Sequence, residues 1–349
     1  MVIWPSTEPV LPPRFVEGFE PFETFTRDAG ADPAALAADL VALWDFVAAH
    51  PELLDAPETA EAAVRFLGNA VAVAHPAATW RFTSEPEVGT STIAIPVRGL
   101  LRAMAEHPEH REPFQEMLAS WPQADRDAEE LRSLRREEVD IDFVVAPVPF
   151  TRPALAVPDF VDDGGRVIHY GSRWPDGSPP EEAYSRVSHP ERFAPVLSVV
   201  DALVGYLETW YDVDVDRRSE ESGDRVFHLR PTTGPTVTVT ATPESVRIEA
   251  GALFRDVTPT CTCDACDETA ESAADQIEET LLTIAAGGLR EVFPVGQRRW
   301  LHTELRTPDG GRRSSGGPDR SLSAERVDDA AGVLARLPDG WWPAWTLRS

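Results

Sequence analysis

The sequence predicts an α+β protein of two small domains, each a few-stranded antiparallel sheet flanked by helices. Its 349 residues exceed the length over which a single hydrophobic core keeps growing. Hydrophobic residues make up 42% of the chain and ten are tryptophan, enough to fill two cores. Helical and strand-like periodicities come in separate runs, without the regular alternation of βαβ units. The expected division is an N-terminal domain over residues 1–123, a charged helix and proline-rich connector over 124–168, and a C-terminal domain over 169–349.

Residues 1–20 are proline-rich and irregular, and Trp4, Phe15, Phe19, Phe22 and Phe25 are expected across the first core. Asp32 and Pro33 open a helix running to about His50, with Leu36, Leu40, Leu43, Trp44 and Val47 on one stripe and Pro51 as its stop. A second helix over 58–74 places Ala62, Phe66, Ala70 and Val73 on one face, followed by strands at 79–83 and 91–96 and helices at 98–107 and 111–120. Residues 124–140 form a charged helix, and 141–165, with Pro147, Pro149, Pro153, Pro158 and an Asp-Gly turn, cannot be a central strand. That stretch reads as an extended connector lying over both halves.

In the second half a helix from Pro190 to Trp210 buries Val196, Val199, Val200, Leu203 and Leu207. Strands follow at 225–230, 235–241 and 245–250, the middle one alternating as Val237-Thr-Val239-Thr. After the cysteine loop, a helix over 271–286 stops at Gly287-Gly288. A strand at 299–306, a Gly/Ser/Arg loop at 309–318, a helix at 323–336 and a tail holding Trp341, Trp342 and Trp345 complete the chain. The tail is expected to close a core.

Charge excludes several functions. The net charge of −27 opposes phosphate backbones and anionic membrane surfaces alike, so neither nucleic acid nor membrane is an expected partner. Residues 286–349 hold ten arginines against eight carboxylates, a net of +2, leaving −29 for residues 1–285. The simplest use of that asymmetry is internal packing of a mildly basic segment against an acidic body. All 32 basic residues are arginine, which rules out a Schiff-base lysine, a Walker-type phosphate loop and a kinase-type lysine. The first residues lack a basic, then apolar, signal-peptide pattern, and no stretch is expected to span a membrane. A cytoplasmic location is therefore expected, where thiols stay reduced.

The three cysteines of the chain fall within six residues, Cys261-Thr-Cys263-Asp-Ala-Cys266, followed by Asp267-Glu268. Thiolates are preferred zinc ligands, and Cys-x-Cys-x-x-Cys can put three sulfurs around one ion. A structural site needs a fourth ligand; Asp267, Asp264, His228 or His302 can supply it. The predicted metal set is Cys261, Cys263, Cys266 and Asp267. Two other readings stand beside it: small buried thiols in a tight loop, with Asp267 or Glu268 capping the next helix, and a redox Cys263-x-x-Cys266 pair whose acidic neighbours oppose a low thiol pKa.

Other residues carry weaker signals. His107, Glu109, His110 and Glu112 have ligand-like spacing, but Pro108 and Pro113 break the helix a site would need. His189-Pro190 suits a capping turn, and His169 with His189 lacks any nucleophile motif. Arg298-Arg299 and Arg312-Arg313 are the best candidates for an acidic partner.

The segments Tyr170-Gly-Ser-Arg-Trp174, Tyr184-Ser-Arg-Val-Ser-His-Pro-Glu-Arg-Phe193, Cys261-Thr-Cys-Asp-Ala-Cys-Asp-Glu268 and Trp342-Pro-Ala-Trp345 carry a resemblance. Over residues 170–349 the chain resembles an uncharacterised family of domains of unknown function from high-GC Gram-positive bacteria. The resemblance implies a domain boundary and no activity. By fold-level analogy with bacterial chaperone-like and immunity-like domains, the expected function is a non-enzymatic binding protein with a protein partner and a cysteine-rich, zinc-stabilised loop. The alternative is a thiol-based redox or metal-dependent enzyme using the same cysteines.

Overall fold

The computed structural model describes residues 12–174, 177–219, 223–317 and 323–349; Trp4 lies outside them. The fold is α+β, with four small antiparallel sheets among the described residues, and the chain divides into two compact units after Glu130.

The first unit contains α1 (Glu20–Asp28), α2 (Pro33–Ala38), α3 (Leu40–Ala49), α4 (Pro57–Ala74), β1 (Thr79–Phe82), β2 (Pro86–Gly89), β3 (Ala94–Pro96), α5 (Val97–Glu106) and the start of α6 (Arg111–Arg136). The single helix expected from Asp32 is two. Asp39 is extended, and its carboxylate accepts from Val41 N at 2.8 Å and Ala42 N at 3.2 Å. An internal N-cap therefore restarts the chain as α3. Conversely, the two helices expected around Pro122 are one, which continues through the proline with Trp121 and Ala124 fully buried.

The strands order as β1-β2-β3, and Trp44, Trp80, Trp121 and Phe22 fill the core beside them. Phe15 is half exposed, and so is Val73, whose place on α4 is taken by the buried Val71. Gly68 sits inside α4, where the Trp80 ring lies against its Cα and a Cβ would overlap the indole.

The second unit begins within α6. Residues 137–159 have no regular structure and pack on this unit: Tyr206 donates to Val148 O at 2.7 Å, and Val144 N donates to Ala286 O at 3.2 Å. A hairpin, β4 (Phe160–Val161) and β5 (Val167–Ile168), folds around the Asp162 turn, whose carboxylate accepts from Gly164 N and Arg166 N. A 3-10 turn at Pro190–Phe193 precedes α7 (Val196–Trp210). Pro190–Trp210 has the length and apolar composition of a membrane span, contrary to the expectation above. Here Val196, Val199, Val200, Leu203 and Leu207 of that segment are buried in the core.

Next come β6 (Val213–Ser219), β7 (Arg225–Pro231), β8 (Val237–Ala241), β9 (Val246–Ala250) and β10 (Phe254–Thr258), a five-stranded meander. The chain continues with α8 (Ala270–Ala285), β11 (Leu289–Val295), β12 (Trp300–Arg306), β13 (Arg312–Gly317) and α9 (Ala324–Leu334). Of the strands, β2, β4, β5, β6, β10, β11 and β13 were not expected, and β13 occupies the segment expected to be a loop. Thr269, not Asp267 or Glu268, caps α8: it exchanges bonds with Ser272 in a capping box. Gly287 ends the helix at φ +89°, where Ala344 leaves no room for a side chain.

Helices α7 and α8 share one core with the meander, completed by Trp345. That indole donates to Pro235 O at 3.1 Å, so the tail closes the core as expected. Glu291 fixes a second crossing. Its carboxylate is fully buried and accepts from Ala252 N, Leu253 N, Phe254 N and Trp342 Nε1 at 2.6–3.0 Å.

Gly68 gives a direct test of packing in the first unit. Alanine has the higher helix propensity, yet Gly68→Ala is expected to destabilise the protein by about 1–3 kcal/mol through overpacking against Trp80. Urea unfolding followed by circular dichroism measures it; a raised midpoint would show that propensity outweighs the clash.

Candidate metal centre

The loop between β10 and α8 is held from outside its own sequence. Asp264 is fully buried, and its carboxylate accepts from Ser188 N at 2.8 Å, Ser188 Oγ at 2.9 Å and Arg186 Nε at 2.7 Å, with Arg173 Nη1 at 3.6 Å. Asp264 N donates to Arg186 O, Ala265 N to Ala183 O, and Trp174 Nε1 to Asp264 O. Burial raises the Asp264 carboxyl, but these hydrogen bonds and the Arg173 charge overcome it and hold the group at about 2. Arg192, only 1% exposed, donates to the carbonyls of Thr262, Glu268, Ser188 and His189 at 2.8–3.2 Å. Its guanidinium lies 4.5 Å from the Tyr170 ring centroid and 4.4 Å from that of Phe193.

This frame brings the three cysteines together. The Cys261 and Cys263 sulfurs are 3.2 Å apart, those of Cys263 and Cys266 3.6 Å, and all three lie within 4.8 Å of one another. Cys263 is buried, Cys261 half-buried and Cys266 exposed. Sulfurs at about 2.3 Å from a tetrahedral zinc stand roughly 3.8 Å apart, so the donor set and its spacing fit such an ion. Hydrogen bonding from Cys261, then from backbone N–H groups, lowers the Cys263 thiol. The bonds and charges of Cys261 and Cys263 push Cys266 up to about 12. Three clustered thiols cannot all ionise without a cation, and a bound metal would deprotonate all three.

The expected fourth ligands each make contacts of their own. Asp267, in the left-handed region at φ +51°, accepts from Arg173 N at 2.8 Å and faces Arg173 Nε at 4.0 Å. The Asp264 oxygens are taken up by Ser188 and Arg186. His228 on β7 bonds Thr238 Oγ1 at 3.1 Å, and His302 is buried in β12, 3.5 Å from Glu304. Sequence reasoning missed Arg173, Arg186, Ser188 and Arg192 as the loop's supports, although the motifs behind the family resemblance contain all four.

The remaining candidates resolve locally. His107, Glu109 and His110 bring ligand atoms together, but all three are exposed on a 3-10 turn with the histidine rings stacked. His189 bonds Glu191 and Val161 O. The arginines proposed for an acidic partner pair internally: Arg299 with Asp328, Arg312 with Glu304 and Arg313 with Asp256.

Asp264 makes the loop acid-sensitive in a defined window. Its carboxyl lies at about 2 in the fold against roughly 3.9 in an unfolded chain, so the unfolded state binds the proton more tightly. The associated stability, about 2 kcal/mol, is present above pH 4 and is lost as pH falls toward 2. In chelator-treated protein, the stability gap between wild type and Asp264→Asn is expected to narrow by that amount from pH 4.5 to 2. A constant gap in urea titrations refutes the assignment.

No match was found among curated proteins, and none among solved structures. A family model described as "Family of unknown function (DUF6226)" matches residues 156–349, a span that includes the cysteine loop, its supporting arginines and the tryptophan tail. The chain therefore belongs to this family of unknown function.

Proposed function

We propose that the protein is a non-enzymatic binding protein whose second unit holds one thiophilic metal ion, zinc by ligand preference, on Cys261, Cys263 and Cys266. The observation that carries this reading is the convergence of three sulfurs within 4.8 Å on a loop already shaped by Asp264 and Arg192. Thiolates favour zinc over hard cations, and an ion there would neutralise thiolates in a segment that also carries Asp264, Asp267 and Glu268. The ion staples the loop, and Asp267, whose Oδ2 accepts from Arg173 N while its buried Oδ1 has no hydrogen-bond partner among the described residues, completes the predicted ligand set. The partner is a protein: the net charge of −27 supports neither nucleic acid nor an anionic membrane. A reducing cytoplasm suits three free thiols.

A redox reading draws support from the exposure of Cys266 and its 3.6 Å approach to Cys263. Alkylation before chelation separates the two: a redox thiol reacts rapidly at neutral pH without chelator, whereas metal-bound cysteines react slowly until chelator removes the ion.

Protein purified with zinc present is expected to hold about one equivalent per chain by elemental analysis, falling below roughly 0.2 in Cys263→Ser, with a chelator-dependent loss of thermal stability. A ratio near zero in the wild type eliminates the metal.

A further inference from the structure

The second unit carries a groove of about 570 Å³ between residues 139–142 and the tail, within the size range of ligand sites. Its apolar lining comes from Pro338, Trp341, Trp342 and Pro343. The groove is preformed. Arg290 Nε donates to Asp339 O at 2.7 Å, Trp342 N donates to Leu289 O, and Arg306 Nη1 donates to Val139 O at 3.2 Å. The Arg290 and Arg306 guanidinium carbons lie 5.5 and 5.1 Å from the Trp341 ring centroid. Little ordering is then left for a ligand to impose.

The charge around the groove points to its occupant. Asp140, Asp142 and Asp339 line it and are exposed, and none of these carboxylates has an ion-pair partner among the described residues. Arg336 is the one cation in the lining. This contrasts with Arg290, Arg306, Arg312 and Arg313 of the same unit, which are all paired with carboxylates. Proline and tryptophan surfaces accept extended, proline-bearing chains, while free carboxylates favour guanidinium or ammonium groups.

We propose that this groove takes an extended, proline-containing peptide segment bearing arginine or lysine, presented by a partner protein. The assignment rests on the reading of the chain as a binding protein and is independent of the metal.

Isothermal titration of the full chain with acetyl-Arg-Pro-Pro-Arg-Pro-amide tests it, against peptides carrying glutamine or glutamate in place of arginine. The arginine peptide is expected to bind with a Kd on the order of 100 μM, weakening severalfold at high salt, while the glutamate peptide does not bind. Asp140→Asn with Asp142→Asn is expected to weaken binding about tenfold at unchanged thermal stability. A charge-matched control, Asp28→Asn with Asp55→Asn in the first unit, leaves it intact.

The proposal is overturned if no peptide binds at millimolar concentration, if the glutamine peptide binds as tightly, or if the control variant loses as much as the groove variant. Zinc-loaded and chelated samples are titrated in parallel. Peptide failure with one zinc per chain leaves the metal reading standing, and peptide binding without zinc leaves the groove standing.

Discussion

The cysteine loop depends on a carboxylate taken out of water. Burying Asp264 as an anion costs several kcal/mol unless its oxygens are met by donors, and here Ser188 supplies two and Arg186 a third. The donors come from a segment more than seventy residues earlier in the chain, so satisfying the charge also sets where the loop lies. Arg192 completes the arrangement from the opposite polarity. An irregular loop has no ladder for its carbonyls, and one guanidinium accepts that role for Thr262 and Glu268. The sulfurs are neighbours because the backbone carrying them is pinned on both sides; attraction between thiols is not required. A metal arriving at such a loop meets donors already gathered, and little of its binding energy goes into ordering them.

The same device recurs elsewhere in this unit. Glu291, from β11, gathers the three backbone N–H groups of the 252–254 turn and the Trp342 indole. A regular hairpin there would have met its own N–H groups, and the carboxylate would have had no reason to be buried. Arg290 and Arg306 do the complementary work, taking carbonyls from the end of α6, the following residues and the tail. Buried charge in this unit is a fastening for irregular chain. Neutral truncation of any of these groups leaves several orphaned partners, which is costlier than losing one hydrogen bond.

What the sequence disclosed follows from that division of labour. Helices α7 and α8 and strand β8 carry apolar periodicity, and their positions were legible, as was the stop at Gly287. Asp39 was read as one polar residue in a helix, because its capping role shows only in an extended backbone. Strand β13, Arg312–Gly317, has no apolar residue and exists because β12 offers it an edge. The cysteine cluster was legible through spacing alone. Its supports were not, since Arg173, Arg186, Ser188 and Arg192 form no period with the loop and meet it only through tertiary contact. Asp267 was named as the fourth ligand from the motif alone, and nothing in the motif signals that its Oδ2 accepts from Arg173 N while its Oδ1 has no hydrogen-bond partner among the described residues.

The same accounting bears on how so acidic a chain would select the proposed peptide. The C-terminal arginines that bring residues 286–349 to a positive balance are largely committed inside the second unit, to Glu137, Glu304, Asp256, Glu249 and Asp328. The carboxylates left without partners therefore define the outer surface, and diffuse negative charge of that kind repels anions without choosing among cations. Choice requires unpaired acids fixed beside a shaped apolar surface. Asp140, Asp142 and Asp339 meet that condition because the arginines that could have neutralised them are held beneath the Trp341 ring and along β12. Internal pairing of the basic segment is thus what leaves the groove beside it acidic.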